Sequence, residues 1–437
     1  MRKFIIIWLG QLASMLGSEM TNFAITIWAW SVTQQATPLS FILFFTQTPK
    51  VIAALFAGVL VDRLNRQKLM MVGDLLAGCS TIAILFLFLG DRLEIWHLYF
   101  TAAVNGLFGS LQGLAYSASL SSIVPKQHYT RATALNSVRM SGAYILAPAL
   151  AGTLYPIIGL TGILVIDIIT FIIAVSTLSI VRIPQFRQNP VIRHSNLKQD
   201  LTLGFRYLLQ HPGLLAILIF FLLENLIENI NFAILPAMIL ARSGNDSTTW
   251  GRLLTSFGIG GVLGAATLSI WGGFKRRIHG ILLGSAIWKL GLIVLSLTRT
   301  TSVKIGAALT CGFCSPFPDS SNQAIWMSKV KPDLQGRVFA ARDLIAQIAI
   351  PLGAAIAGPL ADRFFEPAMR KGGSLAPIFG GLFGTQIGAG MALAIALFSS
   401  CGFLLALGGY AFPSLREVEK RIADHESEMQ TSNNIWR

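Results

Sequence analysis

This chain is short of charge. Only 12% of its 437 residues are Asp, Glu, Lys or Arg, against roughly a quarter in soluble domains. Acids are the scarcer sign, 20 against 34 basic residues. The four cysteines, Cys79, Cys311, Cys314 and Cys401, all fall within apolar stretches, which excludes an extracellular disulfide framework. "CGFC" at 311–314 has the spacing of a redox motif, but without an alternating strand and helix pattern around it the pair reads as structural thiols. Six histidines are scattered with no H-x-x-H or H-x-x-x-H pair, so no protein-built metal site, and no cofactor, is expected. No G-x-x-x-x-G-K-[ST] loop is present, which disfavours an ATP-driven motor. No nucleophile, base and orienting group stand together, so enzyme chemistry is not indicated.

What the chain has is apolar length. Hydrophobic residues make up 53%, and a run of about 18 or more can cross a bilayer as a helix. Twelve such spans are read at 4–32, 39–61, 69–90, 97–123, 133–156, 160–181, 214–241, 251–271, 280–297, 304–327, 338–361 and 384–412. The fold class expected is therefore an all-α polytopic membrane protein. Arg2 and Lys3 precede the first span, but that span is too long for a signal peptide and lacks a convincing cleavage site, so it is retained. The net charge of +14 would suggest nucleic acid in a soluble protein. Here 22 basic residues fall on the side of the N-terminus and 7 on the other, which by the positive-inside rule puts both termini in the cytoplasm. The partner implied is the lipid bilayer and its anionic headgroups, and no nucleic acid.

The longest polar gap divides the spans six and six. The expected organisation is an N-terminal bundle over 1–182, a cytoplasmic linker with a surface helix over 183–213, a C-terminal bundle over 214–412 and a tail over 413–437. In the linker, Leu197, Leu201, Phe205 and Leu208 recur at helical spacing. A repeat supports the division. Arg131 opens the fifth span and Arg337 the eleventh, and "AGTL" at 151–154 and "AGPL" at 357–360 follow at the same interval, an offset of 206 residues in both places. Six spans per half in one orientation is a parallel-repeat arrangement. Two segments invite comparison: "AGVLVDRLNRQKLM" at 57–70 and "AGPLADRF" at 357–364. They lie 300 residues apart and on opposite faces, so "AGPLADRF" reads as a look-alike and not as the repeat counterpart.

The loop after the second span resembles the signature G-x-L-x-D-R-x-G-R-[RK] of the major facilitator superfamily, matched by Gly58, Leu60, Asp62, Arg63, Arg66 and Lys68. Asn65 replaces the second glycine, and asparagine tolerates the left-handed backbone better than other residues. "VPKQHYTRATALN", "LAPALAGTLY", "IDIITF" and "GRVFAARDLIAQ" look most like the macrolide-efflux and enterobactin-exporter branch. "SGAYILAPALAG" at 141–152, with Gly142, Pro148 and Gly152, resembles the helix 5 motif of family antiporters, although Ala147 stands where that motif has glycine. The resemblance implies a transporter of twelve helices in two six-helix halves, working as a monomer in a bacterial inner membrane. It also implies a conformational latch at Gly58, Asp62, Arg63, Arg66 and Arg131. An acid at a helix C-terminus is disfavoured by the macrodipole and needs a partner such as Arg63, Arg131 or another helix N-terminus.

Charges inside the spans are costly and are functional candidates by default. The seventh span, "FFLLENLIENINFAILP", carries Glu224, Asn225, Glu228, Asn229 and Asn231. Two acids one turn apart disfavour simultaneous ionisation, which suits proton exchange. The first span offers Gln11, Ser14, Ser18, Glu19, Asn22 and Thr26 on one side, and the resemblance implies that these two spans line a central cavity. Lys50 in the second span is placed to neutralise Glu19, and Arg139 in the fifth either serves the cavity or snorkels. Lys289 and Asp319 are weaker candidates, and Asp74 and Asp167 read as structural. Phe23, Trp28 and Trp30 are the aromatics that could line an amphiphile site. The expectation is a secondary active exporter of an amphipathic organic compound such as a drug, macrolide, siderophore or peptide-like metabolite. Protons would couple at Glu228 with Glu224 and Glu19. Uptake, lysophospholipid flipping, and a sensor that does not transport are the alternatives.

Overall fold

The computed structural model describes residues 1–181 and 197–421, without the side chains of 57–59, 62, 63, 121, 197–201 and 421. Among the described residues the secondary structure is helical, with no strand. Four helices open the chain: α1 (Arg2–Thr33), α2 (Ala36–Arg63), α3 (Arg66–Leu89) and α4 (Ile95–Ile123). After them α5 runs over Tyr129–Ile180. That helix crosses twice, because Gly159 at φ 64°, ψ −170° reverses it. The left-handed region is open to glycine at little cost, so the fifth and sixth spans join through a single residue.

A short α6 (Leu197–Gln210) leads into α7 (Pro212–Ser243), α8 (Ser247–Trp271) and α9 (Arg277–Leu297). The tenth span is two pieces, α10 (Thr301–Cys314) and α11 (Pro316–Lys329). Pro316 and Pro318 lack the N–H groups that a continuous ladder needs, so the helix divides at Ser315. Then come α12 (Pro332–Leu360), a π-turn at Ala361–Phe365, short α13 (Glu366–Met369) and α14 (Ala376–Phe383), α15 (Ala389–Gly408), and the tail pieces α16 (Pro413–Arg416) and α17 (Val418–Arg421).

Nine described helical runs are each long and apolar enough to cross a membrane. Counting α5 twice and adding α4 and the α10–α11 pair gives the twelve crossings expected. The outward-facing residues are apolar along the spans: Ile270 is 89% exposed, Ile157 75% and Phe86 70%. A surface of that kind is stable only against lipid.

The chain forms two compact units. The first comprises 1–190, 233–258 and 354–391, the second 191–232, 259–353 and 392–437. In the first unit α1 lies along α5 and α2 along α4. Its interior is held by two carboxylates. Asp74 accepts from Gln11 Nε2 at 2.9 Å and from Gln112 Nε2, and Asp167 accepts from Ser18, Thr21 and Thr81 at 3.2, 3.0 and 2.8 Å. Both acids are buried, and hydrogen-bonded partners are what make such burial tolerable. In the second unit α9 packs on α10 and α11, and Leu208, Leu214, Ile278, Ile325 and Trp326 share one core. The linker helix α6 does more than lie at the surface, since Leu208 is buried and the Cα position of Gly204 sits too close to Arg337 O of α12 to admit a side chain.

Candidate functional site

Three charged residues of the second unit meet at one place. Glu224 and Glu228 stand one turn apart on α7, and Lys289 of α9 reaches between them. Its Nζ lies 3.3 Å from Glu224 Oε1 and hydrogen-bonds Glu228 Oε2. Trp288 Nε1 donates to the other oxygen, Glu228 Oε1, at 2.8 Å. The lysine side chain is fully buried, while Glu224 is 11% and Glu228 23% exposed, so Glu228 is the member that opens toward solvent. Gly402 on α15 makes room for the lysine stem: a Cβ there would come 2.8 Å from Lys289 Cε.

The surroundings are aromatic and soft. Phe232, one turn beyond Glu228, stacks on Trp288 at 6.1 Å between ring centres and 21° between planes. The Cys311 thiol donates to Trp288 O at 3.3 Å. Among the described residues, Glu224 Oε2 is buried without a hydrogen-bond partner. Among the described residues two carboxylates stand against one ammonium, and the charge of Glu228 reaches Asp319 on α11.

Lys289, a weaker candidate by sequence alone, is the centre of the cluster. Depth was the signal that could have found it. Glu224 and Lys289 each stand twelve residues beyond the start of helices that begin on the same face, Pro212 and Arg277, or about 18 Å along each axis. The other polar residues of α7 have partners of their own. Asn231 is buried and donates to Ser399 of α15 at 3.0 Å, and Asn229 Nδ2 bonds Asn225 O of its own helix at 2.7 Å. Asn225 is half-buried and accepts that bond with its backbone oxygen.

The first unit holds the other candidates. The polar side of α1 is divided: Gln11 and Ser18 turn inward to Asp74 and Asp167, which leaves Glu19 and Asn22. Glu19 is half-buried, hydrogen-bonds Asn22 and feels the charge of the exposed Lys50. Arg139 lies over the Tyr116 ring at 4.7 Å and bonds Asn136 Oδ1 at 3.1 Å. Phe23 and Trp30 are buried packing residues, and Trp30 donates to Asn245 Oδ1 at 2.7 Å. Trp28 meets Phe88 edge to face at 6.4 Å.

The signature loop and the helix 5 motif are only partly visible. The side chains of Gly58, Asp62 and Arg63 lie outside the described residues. Arg66 Nη1 bonds Ala118 O at 2.7 Å, which ties the start of α3 to the end of α4, and Arg131 is exposed. Asn65 does not supply a left-handed turn. It sits at φ −67° as the N-cap of α3 and accepts from Lys68 N–H at 3.1 Å, the ordinary use of asparagine before a helix. In the helix 5 motif, Gly142 has open space around it. Pro148 and Gly152 instead form a close crossing with α8, where a Cβ on Gly251 would come 2.6 Å from Pro148 O.

Comparison with known proteins agrees with this architecture. The family model of the Major Facilitator Superfamily matches residues 7–354. Macrolide efflux protein A of Streptococcus pyogenes is 26% identical over 365 residues, covering 83% of this chain and 90% of that protein. Multidrug efflux pump Tap of Mycolicibacterium fortuitum is 24% identical over 362 residues, covering 80% and 88%. Among solved structures, a bacterial homologue of the human lysosomal transporter Spinster superposes with a TM-score of 0.68 at 11% identity, over 92% of this chain and 97% of that one. The nucleoside transporter NupG gives 0.67 at 12% identity, over 93% and 98%. At such identities the structural likeness is one of fold. With its twelve crossings and the family match over 7–354, the chain belongs to the Major Facilitator Superfamily and is a multi-pass membrane transporter.

Proposed function

We propose that this transporter exports amphipathic organic compounds in exchange for protons, with Glu224, Lys289 and Glu228 as the coupling group. The observation that carries the reading is the unmatched negative charge of that cluster, half-open at Glu228 beside the stacked Trp288 and Phe232. A proton and a cationic or hydrogen-bonding substrate compete for the same surplus charge, which is the requirement for exchange on one site. The names of the relatives support drug export: macrolides for one protein and several drugs for another. Glu19, Asn22 and Lys50 form a second polar group, a substrate contact in the first unit, and Arg139 is held by Tyr116 of α4 and Asn136 of its own helix. The protein works as a monomer in a bacterial inner membrane with both termini cytoplasmic. The six-span halves 1–182 and 214–412 are the bodies that rock, and the loop with Asp62, Arg63, Arg66 and Arg131 is the cytoplasmic latch.

Proteoliposomes test this directly. A pH gradient is imposed and the efflux of macrolides, cationic dyes, siderophores and peptides is followed for wild type and Glu228→Gln. Gradient-driven flux that is lost in the variant, with substrate counterflow retained, is the expected result. Equal gradient-driven flux in both proteins refutes coupling at Glu228.

A further inference from the structure

We propose that Asp362 is a positioning residue for the transport cycle, a latch that holds shut the membrane face opposite the N-terminus by capping α2 from α12. The proposal needs only a transporter that alternates between two states; it does not depend on the proton-exchange reading or on the substrate.

Helix α2 begins without a cap of its own. Its N-cap residue, Gln35, makes no side-chain hydrogen bond to the first turn, although the first N–H groups of any helix need partners. The partner comes from about 325 residues away. Asp362, in the π-turn that follows α12, accepts with Oδ1 from Ala36 N–H at 2.9 Å and with Oδ2 from Thr37 N–H at 2.7 Å. The Thr37 hydroxyl donates to the same Oδ2 at 2.5 Å. A carboxylate holding two N–H groups at the positive end of a helix is a strong, charge-assisted arrangement.

The approach is prepared one turn earlier. A Cβ on Gly358 would come 2.1 Å from Ser40 Oγ and 2.5 Å from Thr37 Cα, so only glycine lets α12 come this close to the first turn of α2. Glycine and acid are four residues apart in A-G-x-L-x-D-R at 357–363, the spacing also found at 57–63. The two segments are not repeat counterparts, as the 300-residue separation showed. They place the same pair of residues at the C-terminal ends of two different spans, on opposite faces. "AGPLADRF" is therefore a working element of the opposite face and no accident of composition.

The contact joins a helix of the N-terminal six spans to one of the C-terminal six. It can exist only while the opposite face is closed, and an interaction made in one of two states shifts the balance toward that state by its own free energy. Trp30 with Asn245, and Gly152 against Gly251, close the same face by packing and a neutral hydrogen bond. Asp362 brings the carboxylate, and the N–H groups it releases on opening are taken up by water. Loss of a helix cap of this kind corresponds to roughly a tenfold change in the ratio of the two states.

Spin labels at the exposed Arg92 and Lys371, introduced as Arg92→Cys and Lys371→Cys, report the distance across the opposite face by pulsed electron resonance in lipid nanodiscs. Wild type is expected to show mainly the short distance. Asp362→Asn, which sets an amide against the N–H groups, should raise the ratio of long to short about tenfold. Thr37→Val, which removes only the hydroxyl donor, should shift it less and in the same direction. Unchanged distributions in Asp362→Asn overturn the latch, and if that variant is not recovered folded, an unchanged distribution in Thr37→Val overturns it. The distances do not depend on what is carried, so a failure of the export reading leaves this test standing.

Discussion

Replacing Lys289 with methionine asks what the charge cluster contributes. The side chain is wholly buried, and its ammonium lies between Glu224 and Glu228. Methionine keeps the length and most of the volume, so packing against the Cα of Gly402 survives and the change is mainly one of charge. Removing one partner of a buried pair costs about 3–5 kcal/mol, because the remaining charge is left uncompensated. Here two carboxylates remain, one turn apart, and the upper part of that range applies. Glu228→Gln does the opposite. It leaves Lys289 and Glu224 as a matched pair, still 3.3 Å apart, and should cost under about 1 kcal/mol. Combining Lys289→Met with Glu224→Gln and Glu228→Gln removes every charge and should recover most of the loss. Thermal unfolding of the detergent-solubilised protein, read as loss of the monodisperse chromatographic peak, gives the ranking. Wild type and Glu228→Gln should be alike, the triple variant slightly lower, and Lys289→Met lowest. If Glu228→Gln unfolds as early as Lys289→Met, or the triple variant is worse than Lys289→Met, charge balance is not what holds these helices together.

Other expectations concern the ends of helices and one crossing. Gly251→Ala should destabilise the protein by about 1–3 kcal/mol through overpacking, since its Cβ meets the backbone oxygen of Pro148, whereas Gly142→Ala, in open space, should be tolerated; the same unfolding assay compares them. Asp246 caps α8 by accepting from Thr248 N–H at 2.9 Å, Thr249 N–H at 3.2 Å and the Thr249 hydroxyl, and Asp246→Ala should cost about 1 kcal/mol. Partial burial pushes the Asp246 carboxyl up, but the Thr249 hydroxyl and the two N–H groups outweigh it and hold the group below its ordinary 3.8. A carboxyl held low contributes its stability in full above that ordinary value and loses it as the pH falls through the folded one. The wild-type and Asp246→Ala melting curves should therefore converge on acidification below about pH 4. Glu419 accepts from the N–H groups of Arg277 and Ile278 at 3.2 and 3.3 Å. Glu419→Ala should free the tail from the start of α9 and speed proteolysis at 413–421 in everted vesicles.

The twelve spans were legible because each follows from twenty or so apolar residues and little else. Their breaks at Gly159 and at the proline pair 316 and 318 come from backbone chemistry that acts locally. Charges inside the spans announced that they needed partners, but not which. A period of 3.6 residues says that Glu224 and Glu228 share a side of α7; it does not say that α9 lies there. Helix 1 failed differently. Its polar side looked like one surface, yet Gln11 and Ser18 serve the buried Asp74 and Asp167 while Glu19 and Asn22 do not. The sequence pattern assigns a face, and the tilt between packed helices divides it. Asp362 gave no sign of its contact for a third reason: its partner is the first turn of another helix, and an N-terminus without its own cap, such as Ala36, carries no residue type that announces it.

The single-residue reversal at Gly159 has a mechanical consequence. Most neighbouring crossings are joined by several residues of slack, as at 90–94 between α3 and α4, but the two arms of α5 meet without any. They can bend relative to one another at that point, yet their ends cannot part or slide. A displacement of the first arm at that face, the arm that presses Pro148 and Gly152 against α8, is handed at once to the second, which carries Asp167 and its grip on α1 and α3. Movement begun at one crossing thus enters the middle of the bundle through a joint with no play, and an epitope tag inserted at 159 would introduce the play that the chain has omitted.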